Sequence, residues 1–282
     1  MLLLVPADVL TPRRPDAHFA PEAAAAAAAG VEVALVDHDA LARPGAAAAG
    51  VARVPAGTPD AVYRGWMLRS ERYADFVAAL AARGVPARTG AAQYRRAHEL
   101  PGWYRDLAAV TPASAWSTGT GRAGFNRARA ALGAGPAVLR DYTKSMKHYW
   151  EQAAYIPELA DAGAAWAVAQ RFRQLRGEDF TGGYVLRRYE EFTGTEARTW
   201  WVAGACRLVS AHPDTAHEPP PAAPDLARFA PLVAALGLPF VTLDLALRRD
   251  GGWRLVELGD GQVSDRPETL TPGALIAALA GG

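Results

Sequence analysis

The stretch VTLDLALRRDGGWRLVELGDGQVS, residues 241–264, contains two apolar runs joined by the Asp-Gly-Gly sequence at 250–252. An Asp-Gly pair between two alternating runs is a strong signal for a β-hairpin. Each predicted strand carries one carboxylate among apolar neighbours, Asp244 in the first and Glu257 in the second. A tight turn places these two residues opposite each other to within one residue of register.

A carboxylate in the middle of a buried strand is costly unless it is paired or binds a metal ion. Two converging carboxylates suit a hard cation such as Mg²⁺ presented with nucleotide phosphates. Asp260 and Gln262, in the loop after the second strand, are candidates for further ligands. The alternative is that Asp244 and Glu257 each pair with a buried arginine.

Positive charge is concentrated upstream, in AVLRDYTKSMKHYW at 137–150. Lys144 and Lys147 are the only lysines among the chain's 30 basic side chains, and Arg140 precedes them. Arginine does not replace lysine well where a compact, flexible charge must follow a phosphate, so this segment is a candidate phosphate clamp. The alternative is a solvated basic face. A cationic clamp together with a two-carboxylate metal pair is the minimum needed to hold a triphosphate.

Two further phrases carry candidate nucleotide-binding side chains. GGYVLRRYEEF, residues 182–192, resembles a hinge that holds a base through its backbone, and its side chains are candidates for the ribose or base edge. TEARTWW, residues 195–201, places Glu196 and Arg198 on one face of a predicted strand. The candidates in the first phrase are Arg188, Tyr189, Glu190 and Glu191.

The first third of the chain alternates strand-like and helix-like phrases, which predicts a small parallel sheet with helical crossovers. Arg64, between aromatic residues in YRGW at 63–66, is a candidate for binding a substrate carboxylate. An ion pair within the protein is the alternative for Arg64. The pattern also predicts one strand over ARTWWVAGACRLVSAH, at 197–212, and a loop over HEPPPAAPD, at 217–225.

Composition excludes several classes of protein. The chain has 282 residues, half of them hydrophobic, and a formal net charge of +1, so no overall field attracts nucleic acid or an anionic membrane. No run reaches the ~18 apolar residues of a membrane span. The single cysteine, Cys206, forms no internal disulfide, which favours a reducing, cytoplasmic location. The oligomeric state is not determined by these features.

With these residues in place, the sequence resembles the ATP-grasp superfamily, in particular the clade named for one arginine and two lysines. The resemblance spans residues 63–266 and is most specific in DLALRRDGGWRLVELGDGQVS. It implies an α/β fold of the α+β ATP-grasp type, with a Rossmann-like pre-grasp βαβ domain at 1–95 and a two-lobed ATP-grasp domain at 96–282. The lid lobe is expected at about 136–192 and the metal-binding lobe at about 193–282.

The resemblance implies a ligase that uses ATP and Mg²⁺, or Mn²⁺ in its place, to make an acyl phosphate from a carboxylate, which an amine then attacks. The implied substrates are a small-molecule or peptide carboxylate and an amine. Two other functions stay open: a nucleotide-binding module without catalysis, and a phosphotransferase acting on a hydroxyl.

Carried over to this sequence, the resemblance makes Asp244 and Glu257 the metal ligands and Lys144 and Lys147 phosphate-binding residues. Arg140 stands where many ATP-grasp sequences have lysine. Arg198 and Lys147 are the implied catalytic residues: Arg198 stabilises the acyl phosphate and the oxyanion, and Lys147 offsets charge on the transferring phosphate.

This sequence departs from the superfamily in two places. The superfamily often ends its metal motif Glu-x-Asn, but here Glu257 is followed by Leu258 and Gly259. The third metal ligand is therefore open, with Asp260 and Gln262 as candidates. Arg187 or Arg188 stands in place of the usual hinge glutamate. Among the histidines, His148 is a site candidate, whereas His212 and His217 are not expected to bind metal.

Overall fold

The structure, a computed structural model, describes residues 1–215 and 224–281. His217 and most of the predicted loop at 217–225 lie outside these residues. The chain divides into two compact units. The first contains residues 1–97, 196–245 and 257–282, and the second contains 98–195 and 246–256. The predicted domains, 1–95 and 96–282, remain predictions.

The N-terminal segment is a three-stranded parallel sheet with helices, as the alternating phrases predicted. The strand order is β2-β1-β3. Strand β1 is buried along its whole length, which explains why it is apolar throughout instead of alternating. The elements are β1 (Leu2–Pro6), α1 (Ala20–Ala28), β2 (Glu32–Val36), α2 (His38–Ala42), α3 (Ala47–Gly50), β3 (Ala61–Tyr63), α4 (Ser70–Ala81) and α5 (Ala91–His98).

The second unit has its own antiparallel sheet and its own core. The strand order is β4-β7-β5-β6, and Phe125 and Phe172, from its two long helices, are fully buried together. Helix α7 ends at Gly133, whose φ of 82° is a conformation that glycine adopts readily. The elements are α6 (Leu100–Leu107), β4 (Ser114–Trp116), α7 (Arg122–Leu132), β5 (Ala137–Arg140), β6 (Tyr155–Ile156), α8 (Ala162–Arg176) and β7 (Val185–Arg188).

The remaining elements form a four-stranded sheet of order β11-β10-β8-β9. Trp200 and Phe240 of this sheet pack on Leu275 of the last helix, within the first unit. The Asp-Gly-Gly hairpin is confirmed, because the turn at 249–252 joins β10 to β11. The elements are β8 (Phe192–Val202), β9 (Ala205–Ala211), α9 (Ala230–Leu236), β10 (Phe240–Arg248), β11 (Trp253–Asp260) and α10 (Pro272–Ala280).

The prediction of one strand over 197–212 is wrong, because the structure has an antiparallel hairpin there. Ala203 and Gly204 form its turn, with φ values of 50° and 79°. A two-residue turn with both φ values positive matches the twist of paired strands. Ala-Gly is a weak sequence signal for such a turn, since alanine rarely adopts positive φ.

Candidate functional site

The two predicted metal ligands lie near each other on the β10–β11 hairpin, within the first unit. At the open end of the hairpin the Gly261 amide donates to the Phe240 carbonyl, and next to the turn the Arg248 amide donates to the Gly252 carbonyl, both at 3.0 Å. Counting inward from the first bond places Asp244 opposite Glu257, whereas counting from the second places it opposite Val256, so the pairing shifts by one residue along the hairpin. Both carboxylates raise the pKa of one guanidinium, that of Arg198, which places them together beside it.

Asp244 has a buried arginine partner on the neighbouring strand β8. The Nε and Nη2 atoms of Arg198 donate to its two carboxylate oxygens at 2.7 and 2.8 Å. Burial alone would raise the pKa of Asp244, but Arg198 and His212 hold it well below its usual range. The arginine pairing that sequence left as an alternative is thus present. Oδ1 keeps a further lone pair for a cation, whereas Oδ2 also has His212 Nε2 at 3.3 Å.

Arg198 is the most highly connected side chain of this group. Burial alone would lower its pKa, but Asp244, Glu257 and Asp265 raise it, so the guanidinium stays charged. Its Nη1 also donates to the Asp265 carbonyl at 2.7 Å. Of the five N–H donors of a guanidinium, the bonds to Asp244 and Asp265 use three, and Nη2 also lies 3.3 Å from His212 Nε2, which leaves one N–H of Nη1 for a ligand. This arrangement suits the stabilisation of an oxyanion.

His212 lies beside Asp244, a position that no sequence pattern predicted. Its Nε2 is 3.3 Å from the Asp244 carboxylate and its Nδ1 is 3.4 Å from Glu196. The Asp214 amide donates to Nδ1 at 3.2 Å, and Nε2 is the ring nitrogen that faces Asp244. The β8–β9 hairpin brings His212 back to Arg198, so the turn at 203–204 was the signal that sequence reasoning missed.

The predicted role of Asp260 and Gln262 as metal ligands stays a prediction, because within the described residues the buried Asp260 Oδ2 has no hydrogen-bond partner. They bond each other: Asp260 Oδ1 accepts from the Gln262 amide and Nε2, both at 3.0 Å. Gln262 Nε2 also donates to the Tyr73 hydroxyl at 2.8 Å. Both residues are 1% exposed. Asp260 is three residues beyond Glu257 on β11, and alternation of side chains directs it to the opposite face.

The predicted role of Arg64 is also corrected, because this residue binds the carboxylate of Glu22 instead of a substrate carboxylate. Its Nε and Nη2 donate to Glu22 at 2.7 and 2.9 Å, and Nη1 donates to the carbonyls of Gly261 and Ser264. The residue is 1% exposed. The alternative of an internal ion pair holds, and Arg64 connects α1 to the loop that follows β11.

The cationic segment of the second unit is held by a buried aspartate. Asp141, fully buried, accepts from the amides of Thr143 and Lys144 and from Arg176 Nε at 2.9 Å. Lys144 is half-buried, and Lys147 is exposed at the start of a short 3-10 helix, Lys147–Tyr149. Arg140 is buried, with its Nη2 donating to the Thr143 carbonyl at 2.8 Å. Sequence reasoning missed Asp141, because an aspartate beside basic residues is typical of an ordinary charged surface.

Arg188 and Glu190 have partners within the second unit, which alters their predicted role in nucleotide binding. Arg188 donates to the Leu132 and Ala134 carbonyls at 2.5 and 2.6 Å, where α7 ends. Glu190 accepts two bonds from Arg254 at 2.8 and 3.0 Å. We therefore assign both side chains to stabilising the hinge segment.

The predicted roles of the other hinge residues stay predictions. The Tyr189 ring lies 5.3 Å from that of Tyr155, and its amide donates to the Pro136 carbonyl at 3.1 Å. Glu191 is exposed, with Arg249 at 3.5 Å. Arg187, the other substitute for the hinge glutamate, is buried and donates to Thr111 Oγ1 at 2.5 Å.

Within residues 1–215 and 224–281, no group of three or more His, Cys, Asp or Glu side chains is placed to hold a metal ion. Mg²⁺ is usually bound by one or two carboxylates, with waters and substrate phosphates as its other ligands. Asp244 and Glu257 therefore fit a Mg²⁺ site that waters and phosphates complete. In the same described residues, no helix is both long and apolar enough to cross a bilayer.

Comparison with known proteins identifies the family and the fold. Residues 131–279 match the model of an ATP-grasp domain family, family 3 of the clade named for one arginine and two lysines. The fold is similar to that of a RimK domain ATP-grasp protein from Sphaerobacter thermophilus, with a TM-score of 0.63, 17% identity, and coverage of 99% of this chain and 100% of the other. D-cycloserine synthetase DcsG gives a TM-score of 0.61 at 18% identity, with the same coverage.

The ligase PsnB, solved with a minimal precursor, Mg and ADP, gives a TM-score of 0.58 at 13% identity, covering 99% of this chain and 97% of the other. No curated protein matches the chain.

Proposed function

The chain belongs to family 3 of the ATP-grasp clade named for one arginine and two lysines, and from this premise we propose that it is an ATP- and Mg²⁺-dependent ligase that joins a carboxylate to an amine. One observation carries the proposal: Asp244 and Glu257, from the two strands of one hairpin, both lie beside the buried guanidinium of Arg198. A binding module without catalysis has no need of a charged arginine at the carboxylates.

The names of structural neighbours support a ligase that forms amide or peptide bonds. They include D-cycloserine synthetase, PsnB in complex with precursor, Mg and ADP, and the macrocyclase MdnC with its precursor peptide MdnA from Microcystis aeruginosa. We propose a small-molecule or peptide carboxylate and an amine as this protein's substrates. We also keep the cytoplasm as the expected location, on the evidence of its single cysteine.

The reaction proceeds in two balanced steps. A carboxylate oxygen of the substrate attacks the γ-phosphorus of ATP, the bond to the β-phosphate oxygen breaks, and ADP leaves. The amine then attacks the acyl carbon of the acyl phosphate, inorganic phosphate leaves, and the amine loses a proton. Each step develops negative charge on oxygen, which fixed cationic donors stabilise.

The chain's own residues supply those donors. Lys144 and Lys147, from the segment ordered by Asp141, bind the phosphates, and Arg140 adds a third charge. Arg198 directs the remaining N–H of Nη1 to the acyl oxygen. Asp244 and Glu257 hold Mg²⁺, or Mn²⁺ in its place, which when bound neutralises the charge of the β- and γ-phosphates.

Thermal unfolding tests the nucleotide and metal site first. A ligand that binds only the folded state adds about 2.7 kcal/mol at 100 times its Kd, so ATP with Mg²⁺ raises Tm. EDTA removes the shift, and so does the double variant Asp244→Asn/Glu257→Gln. The matched control, Glu71→Gln/Asp75→Asn, removes two exposed carboxylates of α4 and keeps the shift. No shift in the folded wild-type protein rejects the proposal.

A screen of acid and amine pairs then tests the chemistry. Release of ADP and phosphate that requires both partners, with an amide identified by mass spectrometry, supports the ligase. A phosphorylated hydroxyl compound without amide indicates the phosphotransferase, and ATP binding without turnover in a broad screen indicates the binding module.

A further inference from the structure

The place of the missing third metal ligand is occupied by two hydroxyl groups. Gly259 stands where the Glu-x-Asn motif has asparagine. A Cβ atom at this position would lie 3.0 Å from Thr242 Oγ1 and 3.1 Å from Ser264 Oγ, closer than side chains normally approach. The space that an asparagine at 259 would need is therefore filled by these oxygens.

The two hydroxyls share the face of the candidate metal ligands. Thr242 precedes Asp244 by two residues on β10, and Gly259 follows Glu257 by two residues on β11. Residues two apart on a strand lie on the same face. The hydroxyl pair is thus one step along the sheet face from the two carboxylates, on the side where the motif's last residue belongs.

The hydrogen bonds of the two hydroxyls use both of their hydrogens, so the pair has only lone pairs left for a ligand. Ser264 Oγ donates its one hydrogen to the Asp260 carbonyl at 2.9 Å, because a carbonyl can only accept. Thr242 Oγ1, 2.6 Å from Ser264 Oγ, must then donate its own hydrogen to Ser264. Ser264 keeps one lone pair and Thr242 keeps two. A site that presents only lone pairs beside two carboxylates attracts a cation or a water bound to one.

Burial distinguishes the two hydroxyls. Thr242 is 1% exposed, whereas Ser264 is partly exposed. Ser264 is therefore the oxygen that an ion or its water can reach, and Thr242 orients it from behind. Asp260 and Gln262 do not compete for this role, since they bond each other and Tyr73.

We propose that Ser264 supplies the third oxygen of the metal site, in place of the superfamily's asparagine, and that Thr242 positions it. The inference rests on the proposed function, because it assumes that Asp244 and Glu257 bind the metal. It adds a ligand type and a residue that the family motif does not include.

Metal binding tests the proposal without measuring activity. Mn²⁺ is titrated into the full chain with ADP present, and free Mn²⁺ is measured by electron paramagnetic resonance. Ser264→Ala is expected to weaken Mn²⁺ binding about tenfold, the lower end of what loss of a supporting ligand costs. Thr242→Val weakens it less. Ser114→Ala, whose hydroxyl donates to the Pro112 carbonyl in the second unit, is the matched control and leaves it unchanged.

Restoring the motif provides the converse test. In Gly259→Asn/Thr242→Ala/Ser264→Ala both hydroxyls are removed and the amide oxygen is supplied, so Mn²⁺ affinity returns toward the wild-type value. Ser264→Cys is expected to favour Cd²⁺ over Mn²⁺ relative to the wild type, because thiolate prefers soft cations. If Ser264 has a purely structural role, neither the Mn²⁺ affinity nor the preference for Cd²⁺ over Mn²⁺ changes in these variants.

The outcomes separate this inference from the proposed function. If Asp244→Asn/Glu257→Gln abolishes Mn²⁺ binding while folded Ser264→Ala binds as the wild type does, the role of Ser264 is overturned and the proposed function stands. If the folded wild type binds no Mn²⁺ with ADP, both are overturned.

Discussion

Arg198 holds Asp244 through two hydrogen bonds of 2.7 and 2.8 Å across the neighbouring strands β8 and β10, and both side chains are almost completely buried. The pair explains how a carboxylate can stay ionised inside the sheet. It also places a permanent positive charge beside the candidate metal ligands, where a transferring phosphate or an oxyanion would need it.

Arg198→Met is expected to destabilise the fold by about 3–5 kcal/mol, because it leaves the Asp244 carboxylate buried without its partner. Urea unfolding at pH 7 measures the change. Arg248→Met breaks an exposed pair with Asp250 on the same hairpin and should cost less than about 1 kcal/mol. Equal costs for the two variants would contradict the importance of the buried pair.

Asp260 predicts a pH dependence of stability. Burial raises its pKa to about 7, although bonds from Gln262 and the charge of Arg64 act against the rise. Between its unfolded pKa, about 3.9, and about 7, the folded chain binds a proton that the unfolded chain has lost. The free energy of unfolding therefore falls as pH rises through this window, by about 1 kcal/mol per pH unit from this group.

Asp260→Asn is expected to remove this dependence of the free energy of unfolding on pH, because the amide carries no titrating proton. Urea unfolding of the metal-free protein from pH 5 to 8 should show the variant gaining stability relative to the wild type as pH rises. Parallel curves for the two proteins would show that Asp260 titrates normally.

Arg64 and Glu22 should behave as a structural pair. Arg64→Met is expected to cost about 3–5 kcal/mol of stability, and the double variant Arg64→Met/Glu22→Leu should recover much of that loss, because it removes the unpaired charge. Unfolding of both single variants and the double variant gives the coupling. If the stability losses of the two single variants simply add in the double variant, the pairing is contradicted. If Arg64→Met keeps an intact fold and weakens substrate binding, the prediction that Arg64 binds a substrate carboxylate is restored.

Ala203→Asn is expected to stabilise the β8–β9 hairpin by about 0.5 kcal/mol, since asparagine tolerates the positive φ of this turn better than alanine. Gly204→Ala should destabilise it, because its Cβ would lie 3.0 Å from the Ala234 backbone at a φ of 79°. Differential scanning calorimetry compares both variants with the wild type. A loss of stability in Ala203→Asn would argue against the turn geometry.

Lys147→Arg tests why lysine is kept in this segment. If a compact ammonium follows the phosphates, the substitution weakens binding of ATP with Mg²⁺ although the charge is unchanged, and Lys147→Ala weakens it further. Isothermal titration calorimetry measures both. Arg171→Lys, on helix α8, is the control and leaves the affinity unchanged. Wild-type affinity in Lys147→Arg would show that only net charge matters there.

The sequence by itself determined the features that depend on local pattern. Apolar runs and the Asp-Gly turn predicted the parallel N-terminal sheet and the hairpin that carries Asp244 and Glu257. These signals suffice because the spacing of residues along one element decides which face each side chain occupies. The family resemblance rested on the same hairpin and was confirmed.

The tertiary structure alone decided which partners the charged groups have. Arg64 and Glu22 are 42 positions apart and Arg198 and Asp244 are 46 apart, so no local pattern links them. The placement of His212 depended on a turn with weak sequence preference. The position of Ser264 beside Thr242 depended on the path of the chain after β11. Burial and pairing are properties of contacts between distant segments, and they separate a metal ligand from a structural carboxylate with the same neighbours in sequence.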